Sequence, residues 1–248
     1  MHSPLEIAKN FIEIGMHKVR LSAYKMLILG IFAGIFIGFA GIAATTAGAT
    51  IENPSVSRLV SACVFPAGMA MVLVAGSELF TGNNLIIIAL LSRKVTVFQM
   101  LKNWFFVFIG NFIGAAFVAV MVVYGRVPDL FGGFLAEKVV AAAMSRVQQS
   151  FPEAFIKGIM CNILVCIAVW AAFAAKKVSG KLMMSFWPVM FFVLCGFEHS
   201  IADMCYMLFG VGLDINAILK ATLYIVVVSL SNALGAILFC ALSSEKSS

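Results

Sequence analysis

Hydrophobic residues form six long runs that short polar segments separate. A run of about 20 or more mostly apolar residues is long enough to cross the hydrocarbon core of a bilayer as a helix. The pattern therefore predicts six membrane-spanning helices, at residues 24–49, 59–91, 103–125, 154–175, 182–212 and 217–242. These runs account for most of the chain, so we expect a single transmembrane domain over residues 1–248.

Polar residues interrupt two of these runs at matching places. The second run contains residues 76–83 (GSELFTGN), and the fifth contains residues 196–203 (GFEHSIAD), 120 residues later. Two Asn-x-x-Gly-Ala sequences, at 111–115 and 232–236, are 121 residues apart. Irregular backbone at membrane depth is tolerated only where protein or a wet cavity satisfies its N–H and C=O groups. We therefore predict broken second and fifth helices that together form a pathway for a solute.

The distribution of Lys and Arg predicts the orientation. Leaving aside Lys157 in the fourth span, the side that carries both termini has 11 of these residues, and the opposite side has 5. The positive-inside rule therefore places both termini in the cytoplasm, with residues 1–23 as an N-terminal segment and 243–248 as a tail. Three spans per half is an odd number, so the second half inserts upside down and forms an inverted repeat. The connector 126–153 is predicted to contain a surface helix from Ala136 to Gln148.

The composition agrees with an all-α integral membrane protein. Hydrophobic residues make up 62% of the chain, charged residues 11%, and the mean hydropathy is +1.06. A soluble domain has about 25% charged residues. The net charge of +6 follows from the topology, so we expect the lipid bilayer rather than nucleic acid as a partner. Residues 1–21 lack the apolar run of a signal peptide, so none is expected.

The sequence contains none of the motifs that would indicate an enzyme. It has no phosphate-binding glycine loop, no HExxH motif and no acidic run for a divalent metal. We therefore expect no catalytic activity, no cofactor and no metal. The six cysteines lie in apolar stretches without a CxxC pair, and we expect them to be small buried hydrophobic residues.

Three of the four ionisable residues in the breaks are the main candidates for a role in transport. His199 is the only histidine within the spans, and its imidazole can exchange a proton near neutral pH. Glu78 and Glu198 occupy equivalent positions in the two halves. We predict that their carboxylates pin the breaks by accepting hydrogen bonds from freed backbone N–H groups.

Polar residues close to these three add hydrogen-bonding groups. Asp203 is expected to cap the broken helix in the way predicted for the glutamates. Thr81 and Asn162 are neutral polar residues in otherwise apolar segments. For Asn162, a contact between helices and a place on the pore wall are equally compatible with the sequence.

At these residues the chain resembles the formate/nitrite transporter family, which consists of pentameric channels with an aquaporin-like protomer. The resemblance covers essentially the whole chain and is strongest at residues 78–81 (ELFT), 161–170 (CNILVCIAVW) and 196–202 (GFEHSIA). It implies a homopentamer in the cell membrane, with a pore for small monovalent anions and protons through each protomer. The implied outer constriction consists of Phe65, Val165 and Phe192, and the inner constriction consists of Met69, Leu79 and Phe80. His199 is implied to lie between them, hydrogen-bonded with Thr81 and Asn162, and Arg146 is implied to attract anions from the outer vestibule.

The chain departs from the family pattern at several positions. Arginine replaces lysine at Arg146, aspartate replaces asparagine at Asp203, and methionine replaces leucine at Met69. The connection from Gly210 to Lys220 is short. These departures leave formate, nitrite and hydrosulfide open as the conducted species.

The mechanistic hypothesis is that an anion gains a proton near His199 and passes the apolar constriction as the neutral acid. Residues 79–83 would form the inner gate. The sequence leaves open whether His199 donates this proton or only tunes the local field. A neutral-solute channel of aquaporin type would predict paired Asn-Pro-Ala motifs, which both breaks lack. The other competing interpretation is a membrane assembly subunit without transport activity.

Overall fold

The computed structural model describes residues 1–210 and 215–244, and the described residues are helical apart from turns and short connections. In chain order the helices are α1 (Pro4–Arg20), α2 (Ala23–Gly48), α3 (Pro54–Val64), α4 (Pro66–Ala75), α5 (Phe80–Asn83), α6 (Ile87–Leu91), α7 (Val97–Tyr124), α8 (Phe134–Val147), α9 (Phe151–Ala174), α10 (Val178–Cys195), α11 (Ser200–Gly210) and α12 (Ile215–Ser244). Short 3₁₀ turns cover Asn84–Ile86 and Val127–Gly133. Part of the predicted tail (245–248, including Lys246) and part of the fifth connection (211–214) lie outside the described residues.

Six spans cross the membrane, and the second and fifth are broken, as the sequence predicts. Four spans are continuous: α2, α7, α9 and α12. The second span consists of α3 and α4, a break, and then α5 and α6; the fifth consists of α10, a break, and α11. Both breaks begin at a glycine in the left-handed conformation, Gly76 (φ 64°) and Gly196 (φ 72°). Glycine adopts this conformation without the steric cost of a Cβ atom, so it ends α4 and α10 cleanly.

The continuous helices pack in pairs within each half of the chain, α2 on α7 and α9 on α12. Glycines bring the backbones of these pairs into contact. A Cβ atom at Gly110 would lie 2.5 Å from the carbonyl oxygen of Leu27, and one at Gly235 would meet the carbonyl oxygen of Ile159. Small residues allow this close approach where lipid provides no hydrophobic drive for helix association.

Two shorter helices lie at the ends of the bundle. The N-terminal helix α1 begins with a capping box between Ser3 and Glu6 and buries Ile7 and Phe11. Helix α8 confirms the surface helix predicted for the long connector, with its start two residues earlier, and packs against α11. Each of these helices precedes one half of the repeat, so each break has a helix beside it.

The prediction that every cysteine is buried was wrong at two positions. Cys63 and Cys195 are exposed on the protomer, whereas the thiols of Cys161, Cys166, Cys205 and Cys240 are buried. The sequence pattern did not separate these groups because all six lie in apolar helices. A position on a membrane helix can be equally apolar whether it faces the protein core or the protomer's outer surface.

Candidate solute pathway at the helix breaks

Two cavities of about 510 Å³ lie at opposite ends of the protomer. The first, which we call the α1-side cavity, reaches Leu29 near the start of α2 and Leu79 in the first break. The second, the α8-side cavity, reaches Thr45 near the end of α2 and His199 in the second break. Since α2 spans the bilayer, the two cavities approach the breaks from opposite faces of the membrane.

Thr81 and His199 form a buried hydrogen-bonded pair that joins the two breaks. The distance from Thr81 Oγ1 to His199 Nε2 is 2.9 Å. The other ring nitrogen, Nδ1, accepts the backbone N–H of Ala202 at 3.2 Å, and His199 therefore caps the first turn of α11. A neutral imidazole with an accepting Nδ1 carries its hydrogen on Nε2. His199 therefore donates to Thr81, and the Thr81 hydroxyl hydrogen remains available for another acceptor.

Two aromatic rings stand beside His199 at the end of the α8-side cavity. Phe192 stacks on the imidazole with centroids 5.7 Å apart, and Phe65 meets Phe192 edge to face at the same centroid distance. All three side chains line the cavity. The structure thus brings together two of the three residues predicted for the outer constriction. The third, Val165, is buried in the hydrophobic core.

The residues predicted for the inner constriction divide into two groups. Met69 and Leu79 line the α1-side cavity, as expected for residues of a pore wall. The ring of Phe80 instead packs against Phe108 and Trp104, with centroid distances of 5.2 and 5.9 Å. Phe80 therefore fixes the short helix α5 to α7 in this conformation.

Two asparagines hold the broken backbone in place. Asn111 accepts the N–H of Phe80 at 2.9 Å and donates to the carbonyl oxygens of Gly30 and Glu78. In the second half, Asn232 accepts the N–H of Ser200 at 3.1 Å and donates to the carbonyl oxygens of Gly158 and Glu198. Each amide thus joins a break to the two continuous helices of its own half. We call these two sets of bonds the asparagine clamps.

The predicted hydrogen-bond partners of Glu78 and Glu198 were wrong. Both carboxylates are buried, and within the described part of the chain they accept hydrogen bonds from side chains rather than from freed backbone N–H groups. The asparagine clamps hold the backbone of the breaks instead, and in the sequence these asparagines are visible only as a repeated motif. Glu78 binds Lys18 at 2.7 Å and Asn83 at 2.6 Å. Glu198 binds Arg146 at 3.1 Å and Gln149 at 2.6 Å.

The cations in these two networks come from equivalent helices. Lys18 belongs to α1 and Arg146 to α8, and these residues are 128 positions apart. Gly30 and Gly158, which bind the two asparagine clamps, have the same separation. The inverted repeat therefore extends back to the helices that precede the spans. Neither Lys18, in α1, nor Gln149, just after α8, could be identified as a partner from the sequence, because neither lies in the repeated motifs.

Arg146 is enclosed by two carboxylates. Besides Glu198, it binds Asp203 at 2.8 Å, and its guanidinium lies 4.7 Å from the centroid of the Tyr206 ring. Arg146 belongs to the connector helix α8, outside the spans. Burial alone would lower the pKa of Arg146, but Asp203 and Glu198 raise it above its ordinary value. Arg146 therefore stays charged, while two negative groups compensate its field.

The hydrogen bonds of Asp203 and Asn162 differ from those expected from the sequence. Asp203 contributes its carboxylate to Arg146 rather than to a helix cap, and one of its oxygens has no partner among the described residues. Asn162 donates to the carbonyl oxygen of Asn232 at 2.7 Å. Its amide makes no hydrogen bond with His199 in the described part of the chain, so the bond implied by the resemblance is missing. The contact with α12 favours the interpretation that Asn162 joins two helices.

Comparisons with known proteins agree with this architecture. The model of the Formate/nitrite transporter family matches residues 5–244. The chain is 41% identical over 206 residues to the uncharacterized transporter YrhG of Bacillus subtilis, covering 81% of this chain and 76% of that protein. It is 33% identical over 211 residues to the formate channel FocA of Haemophilus influenzae, covering 84% and 74% respectively.

A solved structure gives the same result for the fold. It is described as a pentameric formate channel with formate bound, and it superposes with a TM-score of 0.77 at 29% identity. The match covers 89% of this chain and 95% of that one. These similarities confirm the family and the fold that the sequence predicts. The chain belongs to the formate/nitrite transporter family, whose members are membrane transporters and channels rather than enzymes.

Proposed function

We propose that each protomer conducts a small monovalent anion, formate or nitrite, which crosses the centre of the membrane as its neutral acid. The observation that carries this proposal is the Thr81–His199 pair, which lies between two cavities that approach it from opposite faces. Movement of the residues at the two breaks would join the two cavities into one continuous pathway. The formate channels among its relatives support formate as the first substrate to test.

The apolar residues around this pair favour a neutral species. Phe65 and Phe192 stand on the α8 side of the pair, and Met69 and Leu79 line the cavity on the α1 side. A bare anion loses its hydration shell between such side chains, and this desolvation is costly in a low-dielectric site. A protonated acid avoids most of that cost. We place proton uptake in the α8-side cavity, just before the Phe65–Phe192 contact.

The hydrogen bonds of His199 favour a tuning role over direct proton donation. If Nε2 gave up its proton, the ring would stay neutral only by taking a proton at Nδ1. Nδ1 already accepts the Ala202 N–H, so a proton there would break the cap of α11. In this geometry, His199 presents a fixed N–H dipole and sets the direction of the Thr81 hydroxyl. The hydroxyl hydrogen can then bind an oxygen of the passing molecule.

Residues 79–83 are the proposed gate on the α1 side. Asn83 lies at the end of α5 and binds Lys18, Glu78 and Asn103, which ties the short helix to α1 and α7. Leu79 lines the α1-side cavity at the start of the same segment. Release of these side-chain contacts would allow Leu79 to leave the pathway while Asn111 still holds the N–H of Phe80.

We further propose a homopentamer in the cell membrane with both termini in the cytoplasm. The excess of Lys and Arg on the α1 side supports this orientation. Large apolar side chains exposed on α7, such as Phe105, Phe112 and Phe117, suit contact with lipid or a neighbouring protomer. Native mass spectrometry of the purified protein should give five copies of the 26.7 kDa chain.

Uptake by proteoliposomes tests the proposed function. Vesicles with a trapped pH-sensitive dye should acidify when formate or nitrite is added outside, because entry as the neutral acid releases a proton inside. Gluconate, which is much larger, serves as the control anion, and protein-free vesicles give the background. Acidification with hydrosulfide alone would identify a different anion. Transport of glycerol without any anion flux would favour a neutral-solute channel, and no flux at all would favour an assembly subunit.

A further inference from the structure

We infer that Arg58, rather than Arg146, is the residue that binds the incoming anion in the α8-side cavity, and that its geometry selects small planar oxyanions. The identity of these oxyanions as substrates rests on the proposed function. From the sequence alone, Arg58 contributes only to the charge asymmetry that predicts the orientation.

Arg58 lies on the face of α3 that leads into the pathway. Arg58, Ser61 and Phe65 are spaced at i, i+3 and i+7, and all three line the α8-side cavity. Residues with this spacing share one face of a helix. Seven residues of α-helix span about 10 Å, so Arg58 stands roughly that far along the axis from Phe65. An anion bound at Arg58 therefore lies just outside the proposed constriction, on the side of the α8-side cavity.

The second break positions the guanidinium of Arg58. Its Nε donates to the carbonyl oxygen of Leu194 at 2.9 Å. Its Nη2 lies against Gly196, where an added Cβ would be 2.5 Å away. The equivalent Gly76 in the first break has no such neighbour within 4 Å. The asymmetry matters because Arg58 covers the carbonyl end of α10, whose partial negative charge would otherwise repel an anion.

Arg58 is also the available cation of this cavity. Arg146 is bound to two carboxylates, whereas no carboxylate among the described residues lies within 4 Å of Arg58. Lys138 lines the cavity too, but its ammonium lies over the Phe134 ring at 4.9 Å from the centroid. Arg58 is exposed, and its Nη groups make no hydrogen bond within the described part of the chain.

The two free Nη groups explain the preference for a planar oxyanion. A guanidinium presents parallel N–H groups that match two oxygens attached to one atom. Formate and nitrite both have this geometry, and chloride does not. With Nε held by Leu194, the fork is already oriented, so less side-chain freedom is lost when the anion binds.

Arginine labelling tests the binding site without requiring transport. The purified wild-type protein is treated with phenylglyoxal, and each arginine is followed by peptide mass spectrometry. Arg58 should react several-fold faster than the ion-paired Arg146, and formate or nitrite should slow its reaction more than equal chloride. Arg126, which is exposed and paired with Asp129, should react without protection. Equal protection by chloride, or protection of Arg146 instead, would overturn the inference.

Uptake by variants tests the same residue in transport. Arg58→Gln should raise the half-saturation concentration for formate several-fold at low ionic strength, while Arg58→Lys should keep much of the attraction. Lys220→Gln removes the same charge from an exposed residue outside the cavity and should behave as wild type. Wild-type behaviour of Arg58→Gln would refute the inference. If the wild-type protein gives no uptake but formate still protects Arg58 from phenylglyoxal, the proposed function is refuted and the inference about Arg58 stands.

Discussion

At the scale of single residues, the environment of His199 fixes both of its ring nitrogens. Nδ1 accepts the N–H of Ala202, and Nε2 bonds to Thr81, so the ring cannot rotate without losing two contacts. The stacked ring of Phe192 restrains it further. A side chain held in this way can present a constant dipole to each molecule that passes. It is less suited to a cycle in which the ring must accept and release protons.

Replacing His199 with Asn should change transport more than folding. Asparagine is among the best N-cap residues, so the first turn of α11 should keep its cap. The Nε2–H that orients the Thr81 hydroxyl is removed. We expect the assembled protein to form normally, while formate uptake slows at every pH from about 5 to 8 and keeps the wild-type pH dependence, because the ring does not supply the proton. Uptake at the wild-type rate would argue against a role for His199 in transport, and a changed pH dependence would mean that the ring itself exchanges the proton.

Phe192 provides a second prediction at the residue scale. Replacing Phe192 with Ala removes the ring between Phe65 and His199 and should let water and chloride enter the constriction. Loss of a buried Phe typically costs about 3–5 kcal/mol, but a ring that lines a cavity should cost less. Bilayer recordings in chloride and formate should show higher conductance with poorer selectivity. Phe191→Ala, which alters an exposed neighbour on the same helix, is the matched control.

At the scale of secondary-structure elements, the asparagine clamps allow a helix to stop and restart inside the membrane. Each clamp uses one amide to satisfy two carbonyl oxygens and one N–H. These groups have no water partner in the hydrocarbon region, so an unsatisfied one is costly. The same solution appears in both halves, although the chain after the break differs. The first half continues as the short helices α5 and α6, and the second as the regular helix α11.

Removing a clamp should destabilise the protein far more than removing an ordinary buried hydroxyl. Asn232→Ala removes the partner of two buried backbone groups at the second break, the Glu198 carbonyl oxygen and the Ser200 N–H, each at a cost of about 1–3 kcal/mol, and removes a second bond from the Gly158 carbonyl oxygen. We expect a clearly lower unfolding temperature in detergent, and a similar loss for Asn111→Ala. Ser229→Ala, which removes a hydroxyl that donates to the Ile225 carbonyl oxygen of its own helix, should have a small effect. Equal unfolding temperatures for the serine and asparagine variants would contradict this role for the clamps.

The sequence predicts the elements better than the contacts between them. Six spans and two breaks follow from run length and from paired polar motifs, because the bilayer sets a minimum helix length and penalises free backbone groups. The partners Lys18, Arg146 and Gln149 could not be predicted, since they come from α1 and the α8 region, far from the breaks in sequence. The direction of Phe80 depends on the backbone torsions of the break, which the apolar pattern does not specify.

At the scale of the whole molecule, the two ends of the pathway share a plan and differ in charge. Each end has a cation from a preceding helix bound to the glutamate of a break, Lys18 with Glu78 and Arg146 with Glu198. The α8-side cavity adds the uncompensated guanidinium of Arg58. An anion therefore meets a site with a free positive charge on one side and a compensated network on the other. Between them lie the Thr81–His199 pair and the rings of Phe65 and Phe192.

This arrangement predicts electroneutral flux. If the anion crosses the apolar centre only as the neutral acid, no net charge moves, and the initial rate of formate uptake should not depend on the membrane potential. A potassium gradient with valinomycin sets the potential of proteoliposomes, and isotopic formate measures uptake at a fixed pH on both sides. Raising the outside pH at constant potential should slow uptake, because fewer protons are available to neutralise formate. The Phe192→Ala variant is the positive control, since a wet constriction should make its flux follow the potential. A wild-type rate that follows the potential in the same way would mean that formate crosses as the anion.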